Sequence, residues 1–335
     1  MTGTDPHTAD ATAPPEREAV TGARGRGRRR RRAEQAMVPD AKFGSYYGKP
    51  VLNKPTWAAA DIASYLFLGG LAGASSVMAA GADLTGRRTL ARGCKAGALV
   101  AVSGSLYALI HDLGRPMRFV NMLRTVKPSS PMSVGSWLLA GYGPQAGIAA
   151  LTDATGLLPG IGRAATIGAG MFGPAVAAYT APLMADTAVP TWHDGYRELP
   201  FVFAGSAASA AGGWGMLIAP PGEAAPARRA TIVGGALELG AKTLMERRMG
   251  LSAEPLRQGK AGKLMRAATA LTVAGAVVGG VLGRKSRAAA AAGGLASLAG
   301  SACTRFGFFH AGVTSAEDPK YTVRPQRERL EREHA

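Results

Sequence analysis

The sequence predicts an all-α fold, a polytopic membrane bundle of about eight transmembrane helices. Three observations carry that prediction. Only 18% of the 335 residues are charged, where a soluble chain averages about a quarter. Several stretches of about twenty residues carry no charge, the length needed to cross about 30 Å of hydrocarbon. Those stretches draw on an unusual supply of Gly (46 residues) together with Ala and Ser, the small residues that let helices approach closely in lipid.

Residues 1–36 are rich in Pro, Ala, Arg and Glu and end in the run Arg28 to Arg32. No apolar segment follows directly, so they do not read as a signal peptide. They predict a disordered cytosolic tail, with arginines suited to anionic lipid. Residues 37–56 form an aromatic, turn-rich collar around Phe43, Tyr46 and Tyr47. A membrane domain over 57–310 follows, with helices expected at 57–80, 94–111, 133–151, 164–185, 199–219, 229–246, 265–283 and 288–309. Within it, Gly69 with Gly73 and Gly275 with Gly279 have the four-residue spacing of close helix packing. Pro174 and Pro182 leave room for a break in the fourth helix. Residues 311–335 form a charged C-terminal tail.

An even number of crossings puts both termini on one side. Most of the 39 Lys and Arg residues fall in the tails and loops of that side, which predicts cytoplasmic termini in a cell-membrane protein. The net charge of +17 therefore follows from topology, and nucleic-acid binding is not expected. The two cysteines, Cys94 and Cys303, are too few for an iron–sulfur cluster and far apart in sequence, so both read as packing residues. Haem is not expected either, because His111, His193 and His310 all sit at helix ends, and no metal site is predicted.

Three chain regions converge on the terminus side. The first helix brings Asp61 and Tyr65, the second exits into His111, Asp112, Arg115 and Arg118, and the fourth ends with Tyr179 ahead of Asp186. Ionisable groups in lipid cost a few kcal/mol or more each, so they pair or serve a pathway; Asp112 with Arg115 or Arg118 is one such pairing. Two readings stand for this stretch. It is a polar wall that handles protons or a polar ligand head, or it is a helix end closed by Gly114 and Pro116. Tyr65 and Tyr179 likewise read either as ligand contacts or as interface anchors. Glu238 and Lys242, four apart on one helical face, read as a neutralising pair or as part of a proton route.

At these residues the chain resembles the NrfD/polysulfide reductase membrane-subunit family. The matching segments are Tyr65-Leu66-Phe67-Leu68-Gly69-Gly70-Leu71-Ala72-Gly73, then His111-Asp112-Leu113-Gly114-Arg115-Pro116 with Arg118-Phe119. They continue as Lys127-Pro128-Ser129-Ser130-Pro131-Met132-Ser133-Val134-Gly135-Ser136-Trp137, then Tyr179-Thr180 and Val189-Pro190-Thr191-Trp192. The resemblance spans about residues 40–310 and is strongest before 195.

It implies a quinone-reactive membrane subunit without haem or iron–sulfur cluster of its own. Its expected partners are a four-cluster ferredoxin-like iron–sulfur subunit and, through it, a molybdopterin oxidoreductase catalytic subunit. Quinone or menaquinone would be the bound substrate, with Tyr65, Tyr179, Arg115 and Arg118 forming the pocket and Asp61, His111 and Asp112 exchanging protons. In relatives a tyrosine of the fourth helix and a polar residue of the first, a histidine in some, hold the quinone head; here these positions are Tyr179 and Tyr65. Two other functions are open on the sequence: a membrane anchor without quinone chemistry, and a small-solute transporter.

Overall fold

A computed structural model describes residues 51–334, so the Arg-rich tail and most of the collar lie outside the described residues. Within that range the chain folds into α-helices with no strand. The long rods are α1 (Ala59–Leu84), α2 (Arg88–Asp112), α4 (Pro131–Thr155), α5 (Pro159–Ala178) continued by α6 (Thr180–Ala185), α8 (Leu199–Ile218), α9 (Ala225–Arg248), α10 (Gly259–Ala274) and α11 (Arg287–Glu317). Short helices α3 (Pro116–Met122) and α7 (Pro190–Asp194) lie in connections, and α12 (Lys320–His334) follows α11. The eight rods fall at the eight predicted positions.

Five of them, α1, α2, α5 with α6, α8, and α10 with its continuation to Arg284, combine the length and the apolar composition to cross a membrane. Together they make this a multi-pass membrane protein; α4, α9 and α11 have the length alone.

α1 is the hub, packing against α2, α5, α8 and α11. Small residues make that possible. A Cβ at Gly73 would strike the carbonyl of Gly173 in α5, and one at Gly279 would meet Gly293 in α11 at 3.0 Å. Both predicted small-residue pairs thus contribute to helix contacts. Lys54 before α1 forms an ion pair with Glu317 at the end of α11, so the start of α1 and the end of α11 lie at one end of the bundle.

Two local features depart from expectation, and a third falls where the prolines leave room for it. α2 begins at Arg88 rather than 94, because its first turns have anions to meet. Lys95, only 7% exposed, lies 3.3 Å from Asp83 and 3.4 Å from Asp153, while Arg92 Nε donates to Asp153 at 2.8 Å. α10 runs into a π-helical stretch over Gly275–Val281, where each hydrogen bond spans an extra residue. The fourth rod is broken at Tyr179. Pro182 has no N–H to give the carbonyl of Ala178 and its ring crowds that carbonyl, so α5 ends at Ala178 and α6 restarts at Thr180.

Candidate functional site

The ends of α1, α2, α4 and α5–α6 enclose a cavity of about 720 Å³ at the end of the bundle where the start of α1 meets the end of α11. All seven residues singled out from the sequence line it: Asp61, Tyr65, His111, Asp112, Arg115, Arg118 and Tyr179.

Its floor is a pair of tyrosines. Tyr65 is 2% and Tyr179 8% exposed, their hydroxyls are hydrogen-bonded to each other, and their rings meet edge to face at 6.4 Å. Each is held from behind. Ser105 Oγ donates to the Tyr65 carbonyl at 3.1 Å, which fixes α1 on α2 one residue below the cavity wall. Gly135 of α4 lies flat against the Tyr179 ring, and a Cβ there would overlap it. The break at Tyr179 turns this residue into the joint between two helical segments. A phenol donates one hydrogen. Where one hydroxyl donates to the other, the pair keeps a single donor for anything else in the cavity.

One helical turn nearer the mouth, about 6 Å of rise along α1, Asp61 Oδ2 lies 2.7 Å from His111 Nδ1. Tyr107, 72% exposed, stacks on the His111 ring at 5.9 Å. With Nδ1–H donated to the carboxylate, Nε2 is the ring atom left to accept a proton. Asp112 Oδ1 accepts from the Ala58 backbone N–H at 3.3 Å, which caps the start of α1 from the end of α2.

Gly114, at φ +72°, takes the left-handed conformation that ends α2, and Pro116 opens α3. Arg118 Nη1 then donates to the Leu113 carbonyl at 2.9 Å. The stretch is a helix end, and it also forms a wall of the cavity. Leu139, Leu183, Met184 and Ile62 supply apolar surface between the polar floor and mouth.

Sequence reasoning missed Trp57, Tyr107 and Ser136, which also line the cavity. Trp57 stacks on Trp192 at 5.8 Å. Trp192 itself is fully buried and donates to the Phe308 carbonyl at 3.0 Å. Its neighbour Thr191 donates to the Ser252 carbonyl at 2.8 Å. The Val189–Trp192 segment is thus a structural tie to α11 behind the cavity wall.

Glu238 and Lys242 do not pair as their spacing suggests. Glu238, 2% exposed, accepts from Thr304 at 2.6 Å and Thr272 at 3.4 Å. Lys242 donates to Thr269 at 2.8 Å and lies 3.9 Å from Glu246. Near Glu238 sits Arg305, a fully buried residue that sequence reasoning passed over. Its Nη2 donates to the Phe203 carbonyl at 2.9 Å and its guanidinium lies 3.6 Å from the Phe203 ring centroid. The i, i+4 rule considers one helix only, whereas here the threonines and arginine come from α10 and α11.

Residues 52–151 match the family model described as "Polysulphide reductase, NrfD". The match runs from just before α1 into α4 and includes six of the seven candidate residues, with Tyr179 beyond it. No curated protein matches the chain. Over residues 52–151, which supply most of the cavity wall, this chain is similar to the NrfD (polysulphide reductase) family.

Proposed function

We propose that this chain is the quinone-binding membrane subunit of a multi-subunit oxidoreductase, with the cavity above Tyr65 and Tyr179 holding the quinone head. The single observation that carries this is a hydroxyl-bearing floor inside an apolar wall, with an Asp–His pair one turn above it. A volume of about 720 Å³ lies in the usual range for a small-molecule site, roughly 300–1,000 Å³. The mixture of apolar sides with few polar groups suits a lipid-soluble ring bearing two oxygens.

A bound quinol supplies two electrons and two protons. The tyrosine pair offers one donor to one ring oxygen, rather than one donor from each phenol. His111 Nε2, with Asp61 holding Nδ1, takes the two protons one after the other, Asp61 stabilising the imidazolium each time, and passes each to water at the cavity mouth, where His111 is 36% exposed. Asp112 keeps the start of α1 against the end of α2, and so keeps Asp61 facing His111. Arg118 fixes the turn by its bond to Leu113, and Arg115 adds positive charge beside a reduced ring.

The electrons pass to an iron–sulfur partner that serves a molybdopterin catalytic subunit. That partner would dock at the cavity end, where the 111–131 loop lies. The family match supports such an assembly, as NrfD membrane subunits generally work with subunits of those two kinds. Cytoplasmic termini remain the orientation favoured by the charge distribution.

Replacing Tyr179 by Phe tests this. It removes one hydroxyl and keeps the ring, so quinone-linked turnover of the assembled complex should fall while assembly and melting stay as in the wild type. Unchanged turnover would assign the chain to the role of plain anchor. Solute uptake by vesicles containing this chain alone would assign it to transport.

A further inference from the structure

A second concavity, of about 770 Å³, opens between α9 and α10 on the bundle's outer side. The two helices barely meet along it. Its polar end holds Lys242, Arg257 and Arg266 with a single carboxylate, Glu246. Arg257 Nε donates to Glu246 at 3.0 Å, Lys242 lies 3.9 Å from the same side chain, and Arg266 Nη1 donates to the Arg257 carbonyl at 3.2 Å. Three cations thus line the groove beside one carboxylate, which pairs with Arg257 and Lys242, and Arg257 remains 61% exposed. Lys260 and Lys263, also exposed, follow in the first turns of α10. Cations near a helix N-terminus oppose the helix dipole, so α10 gains nothing from them by itself. An anion bound among them would balance both.

Beyond the groove an exposed apolar face continues down the same helix. From Arg266 the outward positions are Ala270, Val273, Val277 and Val281, spaced four, three, four and four, which is one helical face. The three valines are 45%, 50% and 53% exposed. That stripe extends about 22 Å from Arg266, more than the ~15 Å depth of one leaflet. A basic end leading straight onto an apolar stripe matches a lipid with a charged head and not a free anion.

We propose that this groove is a binding site for an anionic glycerophospholipid, its phosphate held by Arg257, Arg266 and Lys242 and an acyl chain lying along Val273 to Val281. The proposal depends on the chain lying in a membrane and does not depend on quinone binding.

The test is native mass spectrometry of the full chain purified in detergent, with added phosphatidylglycerol or phosphatidylcholine of the same acyl chains. The wild type should retain phosphatidylglycerol in preference. Arg266→Gln should lower that retention about fivefold, and the double variant Arg257→Gln with Arg266→Gln further, at about 1 kcal/mol for each surface cation. Phosphatidylcholine retention should not change. Arg266 makes one hydrogen bond, to a backbone carbonyl, so the single variant decides the matter even if the double variant fails to fold. Equal retention of the two lipids by the wild type would overturn the proposal, as would undiminished phosphatidylglycerol retention in Arg266→Gln. Displacement of phosphatidylglycerol by millimolar inorganic phosphate would also overturn it, by showing a site for the free anion.

Discussion

Two of the polar centres among the described residues are built on opposite plans. At the cavity, Asp61 and His111 are 20% and 36% exposed, and the tyrosines beneath them face open volume. Between α8, α9, α10 and α11, Glu238 and Arg305 are sealed and surrounded by Thr272, Thr304 and the Phe203 ring and carbonyl. Polar groups in both places cost desolvation. The closed centre recovers part of it from fixed partners on neighbouring helices, with Arg305 Nε and Nη1 buried without a hydrogen-bond partner, and thereby ties those helices together. The open centre leaves part of its hydrogen-bonding capacity to a ligand. What separates a site from a strut in this molecule is the space next to the polar group, not the polarity.

That contrast breaks down first, and most severely, at Arg305. Arg305→Met removes the cation beside Glu238 and should destabilise the chain by about 3–5 kcal/mol, as for other buried charges left without their partner. The double variant with Glu238→Gln should recover part of that loss, because neither charge then remains buried. Thermal melting in detergent reads both, and a double variant less stable than Arg305→Met would show that the two residues are not coupled.

Tyr179→Phe should do the reverse. Quinone-linked turnover should drop about a hundredfold, the scale for losing one well-placed donor, with melting close to wild type. Activity of the catalytic partner with a soluble dye should persist.

Gly135→Ala sharpens the geometry of the open centre. Its new methyl must push the Tyr179 ring, with a stability cost of about 1–3 kcal/mol for overpacking, and turnover should fall further than that cost alone explains. Turnover equal to wild type would mean that the ring position is unimportant.

The smallest effect concerns neither centre. Arg248 donates to Glu198 at 2.7 and 2.6 Å and, by that hydrogen bond first, holds the Glu198 carboxyl below its ordinary 4.5. A depressed carboxyl stabilises the fold above that ordinary value, and the stabilisation is lost as pH falls through the lower folded value. The wild type should therefore lose melting temperature on acidification below about pH 4.5. Arg248→Met should start lower and show a shallower acid loss.

Much of this was legible in the sequence, for definable reasons. Charge-free stretches fixed where the rods lie, and Pro182 left room for the break at Tyr179. Alternating exits placed Asp61, His111 and Tyr179 at one end before any coordinates. The contacts among those residues were not legible. Tyr65 and Tyr179 are 114 positions apart, and only the packing of α5 on α1 through Gly73 and Gly173 brings their hydroxyls together. Trp57 and Tyr107 were passed over because an aromatic at a helix end reads equally as an interface anchor. Arg305 was passed over because a single cation in an apolar helix gives no sign of its partner, which lies on another helix.

The most direct test of the central claim is equilibrium binding of a short-tailed menaquinone analogue to the purified full chain in detergent. Saturable binding, weakened at least about tenfold by Tyr65→Phe with Tyr179→Phe (the loss of roughly 1.4 kcal/mol) and unaffected by Glu238→Gln, is the predicted result. Binding that is absent, or that survives the loss of both hydroxyls, would contradict it.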